Sequence, residues 1–234
     1  MYESQNYPKP TIMKTPSRLV LTADGSHSVY NTQIGQHYHS VYGAREESER
    51  VYIELGLQAA FNQFDDEPLR VFEMGFGTGL NALLTMRESE KQKRSVEYET
   101  VETHPLPLEE AHQLNYDGLL GTTTLSTLHE APWGISTAIS PLFTLTKHEA
   151  RIQDFRTTNL FHLIYYDAFS PKGQPELWTA DLFTNLAELI RPGGILTTYC
   201  VKGYVQRNLQ AASFKVEKHP GPPHKRQVIR AIRV

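Results

Sequence analysis

Short apolar runs alternate with amphipathic stretches along most of this chain. Leu69–Glu73, Leu160–Tyr166 and Ile195–Cys200 are apolar enough to predict buried strands. Leu80–Glu90 and Pro175–Ile190 carry apolar residues at helical spacing. Strands that alternate with helices predict a doubly wound, mostly parallel α/β sheet. The remaining predicted elements are the strands Ser95–Glu102 and Phe143–Ile152 and the helices Pro107–Tyr116 and Val205–Ala212.

The two ends of the chain depart from this alternation. Residues 1–42 predict an N-terminal arm with small strands that pack on the site, and residues 43–234 predict the main domain, which begins with a helix at 43–64. Near the other end, Phe214–Lys218 and Gln227–Ile232 predict two strands joined by a Gly/Pro-rich connection. Because no helix separates these strands, we expect an antiparallel pair at one edge of the sheet.

The composition is that of a globular domain. The chain has 234 residues, of which 39% are hydrophobic and 21% charged, which excludes a disordered chain. No apolar run approaches the ~18 residues of a membrane span, and Met1–Gln5 lacks the pattern of a signal peptide. The single cysteine, Cys200, excludes an intramolecular disulfide and a Cys-rich metal site. We therefore expect a cytoplasmic protein with no membrane contact.

Charge is distributed unevenly along the chain. The net charge is −3, yet residues 202–234 hold eight Lys or Arg residues and one acid. A basic end on an acidic body predicts an edge that binds a polyanion. The alternative is a solvated edge strand whose lysines prevent pairing with other strands. The sequence leaves both interpretations open.

A glycine-rich loop follows the first predicted strand of the sheet. Gly75, Gly77 and Gly79 alternate with other residues, and Glu73 precedes the first glycine by two positions. A dinucleotide site has the spacing G-x-G-x-x-G and places a pyrophosphate at the helix N-terminus, where a carboxylate would repel it. A carboxylate suits the ammonium group of S-adenosylmethionine instead. The loop therefore favours a methyl donor over NAD, although a purely structural turn remains an alternative.

Four carboxylates follow predicted strands, and the carboxyl ends of parallel strands line one crevice. Glu73 is expected to face the amino-acid end of the cofactor. Glu102 follows Gly79 by 23 residues, the position of an acid that accepts hydrogen bonds from ribose hydroxyls. Asp154 is a candidate acceptor for the adenine amino group, and Asp167 is expected nearest the reacting methyl group. The alternative for each acid is an ordinary helix cap.

Several segments together resemble the methyltransferase module of the bacterial tRNA wobble-uridine enzyme MnmC, and more closely its stand-alone, MnmD-like form. The resemblance extends from about residue 21 to the end and implies a class I methyltransferase fold, which is Rossmann-like, with a small N-terminal extension. The segments that carry it are Tyr38–Ser40, Gly43–Ala44, Glu47–Ser48, Glu73–Asn81, Asp167–Pro171, Trp178, Lys202–Arg207 and Gly221–Arg226. One departure is Ser213, at a position where the family usually has glycine.

The resemblance implies methylation of the primary amine of 5-aminomethyl(-2-thio)uridine at position 34 of tRNA. S-adenosylmethionine is the implied cofactor, and no metal is required. We expect no room in this chain for the flavin-dependent oxidase domain of the bifunctional members. The implied residues are Glu73, Gly75, Gly77, Gly79, Asn81, Glu102, Asp154 and Tyr38 for the cofactor, Asp167 for catalysis, and Phe169, Trp178, Lys202, Lys225 and Arg226 for the substrate.

Three alternatives from other functional classes remain at this point. A methyltransferase acting on a small-molecule amine would keep the cofactor carboxylates without needing the basic end. A nicotinamide-dependent oxidoreductase would need the other glycine spacing, and a non-catalytic RNA-binding module would have no affinity for S-adenosylmethionine. His37–His39 are expected to close over the cofactor or, alternatively, to form a packed flap. The tRNA species and the oligomeric state are not determined by the sequence.

Overall fold

The computed structural model describes residues 18–65 and 68–234. Residues 1–17 of the predicted arm lie outside the described residues. Strands within the described part form a small sheet and a large one. The strands are β1 Arg18–Leu21, β2 His27–Asn31, β3 Gln36–His37, β4 Leu69–Met74, β5 Val96–Glu102, β6 Thr137–Ser140, β7 Phe143–Glu149, β8 Phe161–Tyr166, β9 Ile190–Thr198, β10 Phe214–Pro220 and β11 Gln227–Arg233.

Helices lie between the strands of the large sheet. The first is a continuous helical segment whose middle is a π-helix, Glu49–Gln58. Within the described residues, no helix combines the length and the apolar character needed to cross a bilayer. The α-helices are α1 Ala44–Ser48, α2 Ala59–Gln63, α3 Leu80–Gln92, α4 Leu108–Ala111, α5 Tyr116–Leu120, α6 Leu125–Glu130, α7 Ala180–Leu189 and α8 Gly203–Ala211, and the 3-10 turns are Ile152–Asp154 and Pro175–Trp178.

The large sheet has eight strands in the order β10-β11-β9-β8-β4-β5-β7-β6. Its five central strands, β9 to β7 in this order, are parallel, and the outer strands are antiparallel. This confirms the predicted mostly parallel α/β class, with antiparallel strands at both edges rather than one. After β4, the strands β5 and β7 lie on one side of β4, whereas β8 and β9 lie on its other side. A crevice therefore opens between β4 and β8 at the carboxyl ends of these strands.

Two predicted boundaries were wrong near the end of the chain. The predicted helix Pro175–Ile190 is interrupted at Thr179, whose side chain accepts a hydrogen bond from Leu182 N and caps α7. The predicted helix stop at Arg191–Gly194 lies inside β9. In β9, Ile190 pairs with Phe161 and Ile195 pairs with Leu163. The segment of β9 between these two pairs is longer than that of β8, so the register shifts. A bulge absorbs the extra residues, so the strand begins before the glycines rather than after them.

The helical segment before β4 positions one residue of the site. Gly56 in its π-helical part faces Tyr165 and Thr197, which a Cβ atom on Gly56 would approach to 3.1 and 3.3 Å. The absence of a side chain therefore lets this segment lie close against β8 and β9. One turn earlier, Tyr52 is buried and its hydroxyl reaches the carboxyl end of β8.

Candidate active site

A cavity of about 490 Å³ lies at the carboxyl ends of β4, β5 and β8. Its volume falls in the ~300–1,000 Å³ range of small-molecule and cofactor sites. The strand ends and the glycine loop enclose it from one side, and the N-terminal sheet encloses it from the other. Of the predicted site residues, those that line it are Tyr38, Gly75, Gly77, Asn81, Glu102, Asp167 and Phe169.

The glycine loop needs glycine at each of its three positions. Gly75, Gly77 and Gly79 have φ angles of 90°, 51° and 75°, in the left-handed region that side chains disfavour. A Cβ atom on Gly77 would lie 3.0 Å from the Tyr38 ring, and one on Gly79 would lie 3.0 Å from His129. A side chain at Gly77 or Gly79 would therefore crowd a neighbouring side chain. Gly77 lines the cavity, whereas Gly79 does not.

Glu102 is fixed beside this loop by backbone donors. Its carboxylate accepts hydrogen bonds from the N–H groups of Gly77 at 3.1 Å, Thr103 at 2.8 Å and His104 at 2.9 Å. Burial raises the pKa of Glu102, and these hydrogen bonds oppose the shift. The result is an acceptor of fixed orientation at the cavity wall, which suits a ligand that carries hydroxyl groups.

Asp167 is held by two side chains from distant parts of the sequence. The Tyr52 hydroxyl donates to one carboxylate oxygen at 2.6 Å, and Asn81 Nδ2 donates to the other at 2.8 Å. Burial raises the pKa of Asp167, while the nearby His39 ring and the Tyr52 hydrogen bond act in the opposite direction. A carboxylate of raised pKa facing a cavity is a candidate proton or hydrogen-bond acceptor.

Glu73 lies behind Asn81 and does not line the cavity. Its side chain is buried, and Oε1 accepts a hydrogen bond from Asn81 Nδ2 at 2.9 Å. Burial raises the pKa of Glu73 well above its ordinary value, so the neutral form is favoured. The contact between Glu73 and a cofactor ammonium stays a prediction; in the structure Glu73 contacts Asn81, and Asn81 lines the cavity.

Two further predicted residues lie away from the cavity. Asp154 forms an ion pair with Arg151 at 2.7 Å and is largely exposed, because the turn at Ile152–Asp154 directs its side chain outward. Trp178 is 1% exposed and belongs to the core, where its indole N–H donates to the Phe169 carbonyl at 2.9 Å. Trp178 therefore supports the loop that carries Phe169 and does not form the cavity wall.

The N-terminal sheet covers the cavity from above. The Tyr38 ring packs edge-on against Phe169, with 4.9 Å between centroids. His39 Nε2 shares a 2.7 Å hydrogen bond with the Thr78 hydroxyl in the glycine loop. Gln36 accepts a 3.0 Å hydrogen bond from Ser170 N. These contacts join both sides of the cavity, so Tyr38 and His39 are packed against the site in the conformation seen here.

The basic C-terminal end divides into paired and unpaired charges. Lys225 forms an ion pair with Glu47, and its Nζ lies 4.5 Å above the Tyr199 ring. Lys202 and Arg226 are exposed and form no ion pair within the described residues. The antiparallel pairing of β11 with β9 places the turn 221–226 at the carboxyl edge of the sheet, on the side of the cavity.

Three residues of the site were not predicted from the sequence: Tyr52, His129 and Lys147. Lys147 is buried and donates to the carbonyls of Leu128 at 2.9 Å and His129 at 2.6 Å, at the end of α6. His129 Nε2 in turn hydrogen-bonds the Thr78 carbonyl of the glycine loop at 2.9 Å. Burial lowers the pKa of Lys147 to about 8. The alternation of Phe143, Leu145 and Lys147 along β7 was the available signal, because it places the lysine on the inward face.

Comparison with known proteins connects this geometry to a family. Residues 143–234 match the profile of a protein family described as S-adenosyl-L-methionine-dependent methyltransferase. Over these 92 of its 234 residues, the chain is similar to the S-adenosyl-L-methionine-dependent methyltransferases. The predicted enzyme class and cofactor are thereby confirmed, and the nicotinamide-dependent and non-catalytic alternatives are disfavoured.

Individual relatives narrow the similarity further. The chain is 32% identical over 241 residues to the tRNA 5-methylaminomethyl-2-thiouridine biosynthesis bifunctional protein MnmC of Aromatoleum aromaticum, an alignment that covers 92% of this chain and 35% of that protein. The MnmC protein of Cupriavidus necator is 29% identical over 221 residues, with 88% and 33% covered. The predicted resemblance to MnmC is confirmed, and the methyltransferase spans about a third of the length of these relatives.

One solved structure has the same fold over nearly the whole chain. The crystal structure of MNMC2 from Aquifex aeolicus superposes with a TM-score of 0.71 and 23% sequence identity, covering 94% of this chain and 71% of that chain. At this identity the similarity establishes the fold alone.

Proposed function

We propose that the methyltransferase transfers a methyl group from S-adenosylmethionine to the primary amine of 5-aminomethyl(-2-thio)uridine at wobble position 34 of tRNA. The observation that carries the proposal is the Asp167 carboxylate, which faces the cavity with both oxygens held by Tyr52 and Asn81. The printed name of the MnmC relatives, tRNA 5-methylaminomethyl-2-thiouridine biosynthesis, supports this amine as the substrate.

The donor set of the cavity fits the cofactor. Glu102 is placed to accept hydrogen bonds from ribose hydroxyls, and Gly75 and Gly77 allow the ligand to approach the loop backbone. The Asn81 side chain reaches the cavity, with the buried Glu73 behind it. Tyr38 closes the site from the N-terminal sheet. For Asp154 we propose no contact, because its carboxylate is engaged by Arg151 outside the cavity.

Asp167 is proposed as the hydrogen-bond acceptor for the substrate amine. When bound, S-adenosylmethionine supplies an electrophilic methyl group on a sulfonium. The attacking nitrogen needs a free lone pair, although an alkyl amine is mostly protonated near neutral pH. Asp167 would orient this nitrogen and accept a proton from its ammonium form before the attack, with Tyr52 and Asn81 fixing the carboxylate. The C–N bond would then form as the bond between the methyl group and sulfur breaks, with the demethylated thioether as the leaving group. Proximity and orientation supply much of the acceleration in such reactions.

The tRNA is proposed to lie along the carboxyl edge of the sheet. Phe169 lines the cavity and offers a ring against which the uracil base can pack. Lys202 and Arg226 are exposed at this edge and are proposed to contact phosphates, which position RNA without reading its sequence. Lys225 is proposed to act at the same place, although its Nζ is already paired with Glu47.

The experiment uses tRNA that carries the unmethylated amine at position 34. Purified protein and S-adenosylmethionine are incubated with this tRNA, and the digested nucleosides are analysed by mass spectrometry. A mass gain of one methyl group on the wobble nucleoside is expected. Transfer to the free nucleoside at an equal rate would instead favour the alternative, a small-molecule amine methyltransferase. Lack of transfer to either substrate, despite cofactor binding, would refute the proposed amine.

A further inference from the structure

Two aromatic rings from distant parts of the chain are stacked beside the site. The centroids of the Tyr42 and His224 rings are 5.0 Å apart, and the ring planes are inclined by 25°. Tyr42 is 56% exposed, unusual for a large aromatic side chain. The pair borders a second cavity of about 180 Å³, which Glu46, Glu47 and Lys225 also line. The surface thus combines an open aromatic face with charges of both signs.

The backbone of His224 has a strained conformation. His224 has a φ angle of 66°, a left-handed conformation that is unfavourable for a residue with a side chain. The turn is held in this form by a 3.0 Å hydrogen bond from Lys225 N to the Pro222 carbonyl. Glycine would adopt the turn without this cost, so the histidine occupies a position whose backbone conformation suits glycine better. Strained residues of this kind concentrate at binding sites.

A short chain of contacts connects this surface to Asp167. Lys225 pairs with Glu47 and lies above the Tyr199 ring. The Tyr199 hydroxyl donates at 2.9 Å to the carbonyl of Ala168, the residue after Asp167. Lys225, which lines the second cavity with the stacked rings, is therefore linked through Tyr199 to the residue that follows Asp167.

We propose that Tyr42 and His224 form a stacking site for an unpaired nucleobase adjacent to the nucleotide whose amine meets Asp167. This inference rests on the proposed function. Unpaired bases in RNA loops bind by stacking on aromatic rings and by hydrogen bonds to their edges. The Glu46 carboxylate, which has no hydrogen-bond partner among the described residues, accepts from the N–H groups of the base, and the exposed Arg226 meets its phosphate.

The test uses an RNA hairpin with the loop of the substrate tRNA, the amine at the target position and 2-aminopurine beside it. The fluorescence of 2-aminopurine decreases when the base stacks, and anisotropy gives the affinity for the hairpin. Tyr42→Ala is expected to weaken binding about 5- to 150-fold and to restore the fluorescence. Tyr42→Phe keeps the ring and is expected to behave as the wild type. The cofactor affinity is expected to be equal in all variants.

His224→Gly separates ligand binding from folding. Glycine removes the ring and relieves the left-handed backbone, so the variant is expected to bind the hairpin more weakly while its melting temperature is maintained or raised. If the wild type methylates the hairpin but Tyr42→Ala and His224→Gly bind it equally well, the stacking site is refuted and the proposed function stands. If the wild type binds cofactor but neither binds nor methylates the hairpin, the proposed function fails and the stacking site fails with it.

Discussion

The side-chain amide of Asn81 donates a hydrogen bond to Asp167 at 2.8 Å. The same nitrogen donates to the buried Glu73 at 2.9 Å, so one amide links a carboxyl beneath the cavity to the carboxylate that faces it. Asn81 is the second residue of α3, which follows the glycine loop, whereas Asp167 follows β8. The orientation of the proposed catalytic carboxylate therefore depends on the strand, loop and helix that form the proposed cofactor site.

Asp167→Asn is expected to slow methyl transfer much more than it weakens cofactor binding. The change preserves shape and removes the charge, and general acid–base roles contribute about 10²–10⁴-fold. Because burial raises the pKa of Asp167 above its ordinary 3.8, the wild-type rate should rise with pH through this raised pKa as the carboxylate forms. Single-turnover rates against pH provide the measurement. A near-normal rate in the variant, or the same rise of its rate with pH as in the wild type, would remove Asp167 from the mechanism.

Glu73→Gln is expected to bind S-adenosylmethionine about as well as the wild type. If Glu73 instead contacted the cofactor ammonium directly, loss of a charged hydrogen bond worth about 1.5–3 kcal/mol would weaken binding roughly 10- to 150-fold. Titration calorimetry distinguishes the two results. Asn81→Ala is the companion variant, and it should weaken binding because Asn81 itself lines the cavity.

Glu73 should also give the protein a specific pH dependence of stability. Its pKa is raised in the folded state above the ordinary 4.5, so the folded protein binds more protons between these values. Its contribution is complete below the unfolded pKa and is lost as pH rises through the folded pKa. The free energy of unfolding of the wild type minus that of Glu73→Gln is therefore expected to fall with rising pH. Denaturant titrations at several pH values measure this difference, and a pH-independent difference would contradict the raised pKa.

Gly77→Val is expected to abolish cofactor binding. The substitution forces a β-branched residue to a φ angle of 51° and drives its side chain into the Tyr38 ring. Calorimetry with the demethylated cofactor is the assay, and NAD is not expected to compete in the wild type. Gly118→Ala is the matched control, because a Cβ atom there meets nothing within 4 Å. Normal binding by Gly77→Val would show that the loop tolerates a side chain.

Lys202→Ala combined with Arg226→Ala is expected to weaken tRNA binding and to reduce its salt dependence. Each lost phosphate contact lowers the slope of log affinity against log salt by roughly 0.7–0.9. Lys215→Ala is the control, because Lys215 pairs with Glu217 in the hairpin strand. Lys225 is left intact, since its loss would leave the largely buried Glu47 without its partner. An identical affinity and slope for the double variant would leave the solvated-edge interpretation.

Ser213→Gly is expected to stabilise the fold. Ser213 has a φ angle of 62° just after α8, the left-handed position at which the family resemblance leads one to expect glycine. The gain should be about 0.5–1 kcal/mol after the larger chain entropy of glycine is counted. Gly121→Ala is the reverse control. Gly121 has a φ angle of 67° in open space, so a side chain there should destabilise the fold through the backbone conformation alone. Thermal unfolding gives the melting temperature of each variant. A shift of both melting temperatures in the same direction would contradict the prediction.

The sequence by itself determined the structural elements that depend only on residues adjacent in the chain. The strand, glycine loop and helix from Leu69 onward follow from adjacent residues, because the φ angles of a tight loop demand glycine where it stands. The alternation of apolar runs likewise determined the parallel sheet. Asp167 was located at a strand end for the same reason, since carboxyl ends of parallel strands meet along one edge.

The tertiary structure decided which side chains meet at that edge. Tyr52 contacts Asp167 across 115 positions of sequence, because the close packing at Gly56 brings its helix onto β8. The tertiary structure also decided where side chains point. The Asp154 side chain turns outward to Arg151, and Asn81 lies between Glu73 and the cavity. A strand-end position gives the place of a residue, whereas burial, partners and side-chain direction depend on elements that pack from elsewhere in the chain.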